Sequence, residues 1–245
     1  EHRSIGLDEP RRIGDMGLVH EGGIAWLAWA VPAESPIPGK RKKAPIASLV
    51  RRLMPADALH IRGRHNHLNA LAALSLCYAV GVEMAAMLHG LREYHGAANR
   101  CQFIGVIDEV EFYNDSKGTN VGAAVAALEG LGRPCWLIAG GQGKAQDFSP
   151  LRQAVTDFAA GVVLFGEDAH DIAQVLDGCG VEILLAADLA EAVAQAGAKA
   201  QSGQAVLLSP ACASFDMFES YAQRGQTFCE LVQSLAHERG MELPC

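Results

Sequence analysis

From Cys101 to the end of the chain, apolar runs of β type alternate with alanine-rich amphipathic runs. That alternation leaves few folds open. Two parallel neighbours need a crossover long enough to hold a helix, so repeated β-α alternation predicts an α/β fold. The expected form is a Rossmann-like, mostly parallel sheet with helices on both faces. Strands are expected over 103–107, 110–113, 135–139, 161–165, 181–185 and 205–209, and helices over 121–131, 150–159, 169–176, 189–200 and 218–237. The first two strands are close enough for a hairpin, so one edge should be antiparallel.

The N-terminal part reads differently. Residues 1–62 look like short strands and loops, with Gly22-Gly23 turning a hairpin between two apolar runs. Prolines and basic residues predict a long loop from Pro32 to Pro55. The alanine- and leucine-rich segment 65–74 should be a buried helix, followed by a second helix over 82–94.

Composition narrows the partners. Half of the 245 residues are hydrophobic, enough for one large core or two modest ones. A net charge of −8 disfavours nucleic acid and anionic membrane surfaces. The basic run 40–43 lies between prolines without aromatic interleaving and reads as a solvated loop. Seven cysteines with no Cys-x-x-Cys pair read as reduced, mostly buried thiols of a cytoplasmic protein, and no metal site is expected. No stretch has the length of a membrane-spanning helix, and residues 1–4 do not begin a signal peptide. The start without methionine suggests a fragment or a processed chain.

In sheets of this class, ligands bind beyond the C-terminal ends of the strands. Three segments fall there. Asn114-Asp115-Ser116-Lys117-Gly118-Thr119-Asn120 joins a strand to a helix. Thr119 or Asn120 would cap the helix, whose N-terminus favours an anion. Asp115 can accept two hydroxyl hydrogen bonds, as a ribose diol offers, and Lys117 carries a mobile charge for phosphate or carboxylate. A polar turn with a good cap would account for the same residues. Gly140-Gly141-Gln142-Gly143-Lys144 lets backbone approach a ligand beside a lysine, but it is neither a Walker A loop nor a dinucleotide fingerprint. Ser209-Pro210-Ala211-Cys212-Ala213-Ser214-Phe215-Asp216 closes the last strand and leads into the last helix. Ser214 reads as an N-cap or as a carboxylate ligand, and Cys212 as a small buried thiol. Earlier in the chain, Asn66 and Asn69 are spaced i, i+3 on one helix face. Their amides suit the edge of an adenine ring; capping explains Asn66 but not Asn69.

Together these segments resemble the Mur ligase superfamily and, within it, the D-glutamate-adding ligases. The resemblance covers nearly the whole chain. Gly63 to Ala73 is similar to the family's His-Asn-x-x-Asn-Ala segment, 114–120 to its Asn-Asp-Ser-Lys-x-Thr-Asn motif and 209–216 to its Ser-Pro-Ala-x-Ala-Ser segment. The resemblance implies an ATP-dependent ligase that activates a UDP-sugar carboxylate as an acyl phosphate. The amine of D-glutamate then attacks, releasing ADP and phosphate. It implies that Asn66 and Asn69 contact adenine, Arg100 the ATP phosphates and Asp115 the ribose. Lys117 would sit at the reacting centre. Thr119, Lys144 and Ser214 would hold the D-glutamate carboxylates, with Phe215 and Tyr221 lining that pocket. Residues 1–97 would be the tail of a central ATPase domain and 98–245 the C-terminal domain. The implied partners are D-glutamate, UDP-N-acetylmuramoyl-L-alanine and ATP with Mg2+, whose ligands would lie outside this chain, and the protein is expected to be monomeric. The chain departs from the family pattern at Asn99, Cys101, Gln102, Gln142 and Tyr221.

Two other readings compete. A folylpolyglutamate-synthase-like ligase is opposed by the Asn-Asp-Ser-Lys motif. A stand-alone nucleotide- or amino-acid-binding module is favoured by the missing phosphate loop. A nicotinamide dehydrogenase fails for want of the glycine fingerprint.

Overall fold

A computed structural model describes residues 3–33, 48–61 and 63–243. The chain divides into two compact units, Glu1–His95 and Gly96–Cys245.

In the first unit, β1 (Met16–Glu21) and β2 (Ile24–Pro32) form the expected antiparallel hairpin. Gly22 and Gly23 turn it with φ of 60° and 79°, the left-handed pair that matches strand twist in a two-residue turn. A third strand, β3 (Ser48–Pro55), pairs antiparallel with β2 inside the stretch expected to be loop. The prolines and the exposed Arg51 and Arg52 hid it, but an edge strand tolerates charge on its solvent side. Residues 34–47, with the basic run, lie outside the described residues. A short 3-10 turn (Ala56–Ala58) leads toward α1 (Arg64–Ala79) and α2 (Met84–Glu93). Met16, Leu27, Met54, Leu59, Leu71 and Leu74 make one small core. Helix α1 is not the buried helix expected: Ala70, Leu71, Leu74 and Ser75 are buried, while Leu76 is 69% exposed. Alanine and leucine surround this helix, so composition could not show that only one stripe meets the core.

The second unit is a six-stranded mixed sheet: β4 (Gln102–Ile107), β5 (Val110–Asn114), β6 (Cys135–Gly140), β7 (Ala159–Phe165), β8 (Glu182–Leu185) and β9 (Ala205–Leu208). Their spatial order is β4-β5-β9-β6-β7-β8. The β4–β5 hairpin is antiparallel and every other pairing is parallel. Five helices cover the two faces: α3 (Val121–Leu131), α4 (Ser149–Phe158), α5 (Ala169–Leu176), α6 (Leu189–Lys199) and α7 (Tyr221–Glu238). Alternate strand residues serve opposite faces, as a period of two requires. Leu137 and Leu164 join Leu128, Val155 and Ile172 of α3, α4 and α5. Ile138 and Phe165 join Val193, Phe228 and Val232 of α6 and α7. β6 and β9 are buried along their whole length, which marks them as central strands.

Side chains close three of the helix starts. Asn120 accepts from the Ala123 amide, Asp188 from Glu191 and Ser220 from Gln223. The last helix therefore begins at Tyr221, after an irregular segment, and Ser214 is not its cap. The described cysteines are free thiols, but only Cys135 and Cys212 are buried; Cys77 is exposed. The expectation of mostly buried thiols fails because apolar neighbours in sequence need not share a face. Cys245 lies outside the described residues. Among the described residues no helix is long and apolar enough to cross a membrane.

Candidate functional site

Because β5, β9 and β6 are adjacent and parallel, their C-terminal ends lie along one sheet edge. That edge brings together the loops 115–120, 209–220 and 141–148. Ser209 Oγ donates to Asp115 Oδ2 at 2.7 Å. The amide of Gly140 donates to the Pro210 carbonyl, and Gln142 and Ala213 exchange two backbone bonds of 3.0 and 2.9 Å. Gln146 reaches two ways: its Nε2 donates to the Ala211 carbonyl at 2.7 Å, and its Oε1 accepts from the Val121 amide at 3.0 Å.

Glycines permit this convergence. A side chain at Gly140, where φ is 124°, would place Cβ 1.8 Å from the Phe165 carbonyl oxygen. At Gly118 a Cβ would lie 2.5 Å from Asp115 Oδ2. Lys144 and Ala145 take left-handed φ of 55° and 56° without being glycine.

Asp115 is buried, and its second oxygen accepts from the Cys101 amide at 3.1 Å. Burial raises its carboxyl above the ordinary value of 3.8, against the opposing hydrogen bonds and the nearby Arg100 charge. Arg100 itself is exposed. The Cys101 thiol also bonds the carboxylate, and accepting capacity beyond these three bonds remains for a ligand. The Lys117 ammonium lies 3.9 Å from the centre of the Tyr221 ring, and the Lys144 ammonium 5.4 Å from that of Phe215. Phe215 is 62% exposed. The half-buried Thr119 donates its amide to the Lys117 carbonyl. Ser214 is buried, and its carbonyl accepts from the amides of Met217 and Phe218. Burial pushes the Cys212 thiol up to about 12, with Asp168 adding to the shift, so Cys212 is no nucleophile.

Eight of the expected residues thus belong to the second unit: Arg100, Asp115, Lys117, Thr119, Lys144, Ser214, Phe215 and Tyr221. Asn66 and Asn69 belong to the first. There Asn69 Nδ2 donates to Asn66 Oδ1 at 3.2 Å, so the pair shares a face of α1. Gly63, not Asn66, caps that helix. Asn69 also lines an apolar cavity of about 420 Å3 between α1 and α2, with Ala70, Leu74, Met87 and Leu91.

Sequence reasoning missed the groups that hold the loops. The buried Asn114 amide nitrogen donates to Asn99 Oδ1 and to the Gly225 carbonyl, both at 3.1 Å, while its oxygen accepts from the Ser116 amide. Asn99, a departure from the family pattern, is therefore part of a hydrogen-bonded turn before Arg100, and Gln102 accepts from its amide. Arg224 of α7 is fully buried, and burial lowers its guanidinium to about 10. A charge within an amphipathic helix carries no local mark that it points inward. Among the described residues no cluster of three or more His, Cys, Asp or Glu could hold a metal ion.

The second unit is thus an α/β domain with a mixed sheet, three interlocked loops at one edge and two lysines over aromatic rings. Residues 99–212 match the Mur ligase glutamate ligase domain, and the chain belongs to that family. Within it, the likeness is to the D-glutamate ligases, as the motifs implied. The UDP-N-acetylmuramoylalanine–D-glutamate ligase of Ralstonia nicotianae is 53% identical over 98% of this chain and 50% of its own length. That of a Polaromonas species is 53% identical over 99% of this chain and 41% of its own. The chain spans about half the length of the curated relatives it matches. A folylpolyglutamate synthase structure from Mycobacterium tuberculosis shares the fold with a TM-score of 0.58 at 13% identity, over 89% of this chain and 47% of that one.

Proposed function

We propose that this chain is the part of an ATP-dependent UDP-N-acetylmuramoyl-L-alanine:D-glutamate ligase that binds D-glutamate and part of ATP, in peptidoglycan synthesis. One observation carries the reading: two motifs of a D-glutamate ligase, 114–120 and 209–216, on a chain 53% identical to such enzymes, meet at one sheet edge. Residues 1–97 are read as the tail of a central ATPase domain and 98–245 as a Rossmann-like C-terminal domain.

The chemistry is an attack by the D-glutamate amine on an acyl phosphate, with ADP and phosphate released. Such a step depends on position and on charge stabilisation of the phosphoryl oxygens. Asn66 and Asn69 present donors and acceptors to adenine, and Asp115 accepts from ribose hydroxyls. Arg100 is exposed and free to reach the phosphates. Lys117 places a positive charge at the reacting centre, with the Tyr221 ring beneath it. A dicarboxylate needs two anion sites, which Lys144 and the pair Thr119 and Ser214 supply. Phe215 and Tyr221 wall the pocket. Magnesium, held by residues outside this chain, would neutralise phosphate oxygens. The chain alone is expected not to turn over ATP, because the phosphate loop is not among its residues. Robust ligation by the isolated chain would sink that expectation.

The reading is tested by titrating the chain with D- and L-glutamate and following NMR chemical shifts. Shifts selective for the D enantiomer around Thr119, Lys144 and Ser214 are expected. An equal or L-selective response would assign the site to another ligase. No response to either would remove the D-glutamate site from this chain.

A further inference from the structure

We propose that Arg224 is a positioning residue that locks the loop carrying Lys117 and Thr119 to the loop carrying Ser214, so that the two halves of the D-glutamate site form together. The proposal rests on the functional reading above. Its basis is a guanidinium with no exposed surface whose four hydrogen bonds are directed at these loops. Arg224 Nε donates to Ser116 Oγ at 3.0 Å, and Nη2 to the Ser116 carbonyl at 2.9 Å. Nη2 also donates to the Cys212 carbonyl at 3.1 Å, and Nη1 to the Ala213 carbonyl at 3.3 Å. Two acceptors therefore lie on the residue before Lys117 and two on the two residues before Ser214.

The choice of residue follows from the geometry. The bonded acceptors are one hydroxyl and three neutral carbonyls, and the Asp216 carboxylate acts on the guanidinium through its charge. A buried cation is costly unless its donors are satisfied. Its planar fork meets both loops at once, whereas a lysine ammonium is a point charge that cannot span them. Neighbouring contacts bring the same helix turn to the nucleotide side. The Gly225 carbonyl accepts from Asn114, and Ser116 Oγ donates to the Tyr221 carbonyl at 2.8 Å. A Cβ at Gly225 would lie 1.7 Å from Asn99 Oδ1, so the backbone there is drawn tight against the turn that precedes Arg100. The first turn of α7 thus holds Tyr221, Arg224 and Gly225 against three ligand-facing segments.

The experiment compares the wild-type chain with Arg224→Lys and with the milder Ser116→Ala, by amide hydrogen exchange and by NMR titration with D-glutamate. In Arg224→Lys, exchange should quicken at least about tenfold in both 115–120 and 209–216 while β6 and β7 keep wild-type protection. Half-saturation by D-glutamate should rise about tenfold, with a smaller rise in Ser116→Ala. Wild-type exchange in either loop would overturn the coupling. Loss of protection throughout the sheet in both variants would reduce Arg224 to a stabiliser of the fold. Loosened loops with unchanged D-glutamate binding would overturn the positioning role alone. No response of the wild-type chain to D-glutamate would overturn the functional reading, whatever the exchange shows.

Discussion

The two units bury an aspartate each, and the two are held in opposite ways. Asp15 in the first unit accepts from the Ser4 and Arg12 amides at 2.9 and 3.1 Å. Burial raises its pKa, but these bonds, a Ser4 side-chain bond and the Arg12 charge together outweigh it and the net shift is downward. Asp115 in the second unit is more deeply desolvated; burial wins there over the Ser209 hydroxyl, the Cys101 amide and thiol and the Arg100 charge. The first arrangement stabilises a charge that ties a chain segment to a sheet. The second keeps a desolvated carboxyl at a sheet edge where ligands are read to bind. The cores differ likewise. The second unit has helices packed on both faces, so its edge loops stand on a rigid base, while the first has one small core and an α1 that leaves Leu76 and Val80 to solvent.

Truncation should expose that contrast most strongly. Phe228→Ala, in a fully buried site of the second unit, should cost about 3–5 kcal/mol in urea unfolding. Leu76→Ala in the first unit should change stability by no more than about 0.5 kcal/mol. Similar losses for the two would mean that the Leu76 face is covered. Next in size is Gly140→Ala, which meets the Phe165 carbonyl and a left-handed φ together; backbone strain alone should cost about 1–3 kcal/mol by the same assay. A neutral result would show that the β6 end can relax. Removing the α3 cap by Asn120→Ala should cost about 1 kcal/mol and leave the first unit's exchange pattern unaltered.

The finest distinction lies in pH. A lowered folded value means that Asp15 contributes stability above its ordinary 3.8, lost as pH falls through the folded value. A raised folded value means the reverse for Asp115: its contribution is complete below 3.8 and is lost as pH rises through the folded value. Asp15→Asn should therefore flatten the acid limb for the first unit, and Asp115→Asn the limb above 3.8 for the second. Exchange measured unit by unit across pH 3 to 7 distinguishes them. The same sign in both units would mean that the balance of burial against hydrogen bonding does not separate the two aspartates.

Legibility followed the same division. In the second unit the β-α alternation placed strands and helices to within a few residues, because both periodicities are local and each element has a polar boundary. Asn120 could be read as a cap from its position before an apolar run. In the first unit β3 was hidden by its arginines, and the exposed stripe of α1 by uniform alanine and leucine. Ser214 was readable as a cap, but the chain runs on irregularly to Ser220 before α7 begins.

The sequence by itself determined the α/β class, the three polar loops and the chemistry of their side chains, since those depend on neighbours a few residues apart. Tertiary structure decided that β9 inserts between β5 and β6, so that loops distant in the chain share one edge. It also decided that Arg224 points inward to acceptors as many as 108 residues away. Periodicity reports which face a residue takes, but only packing determines which strand lies beside it, and a buried cation is tolerable only where folding has already gathered its acceptors.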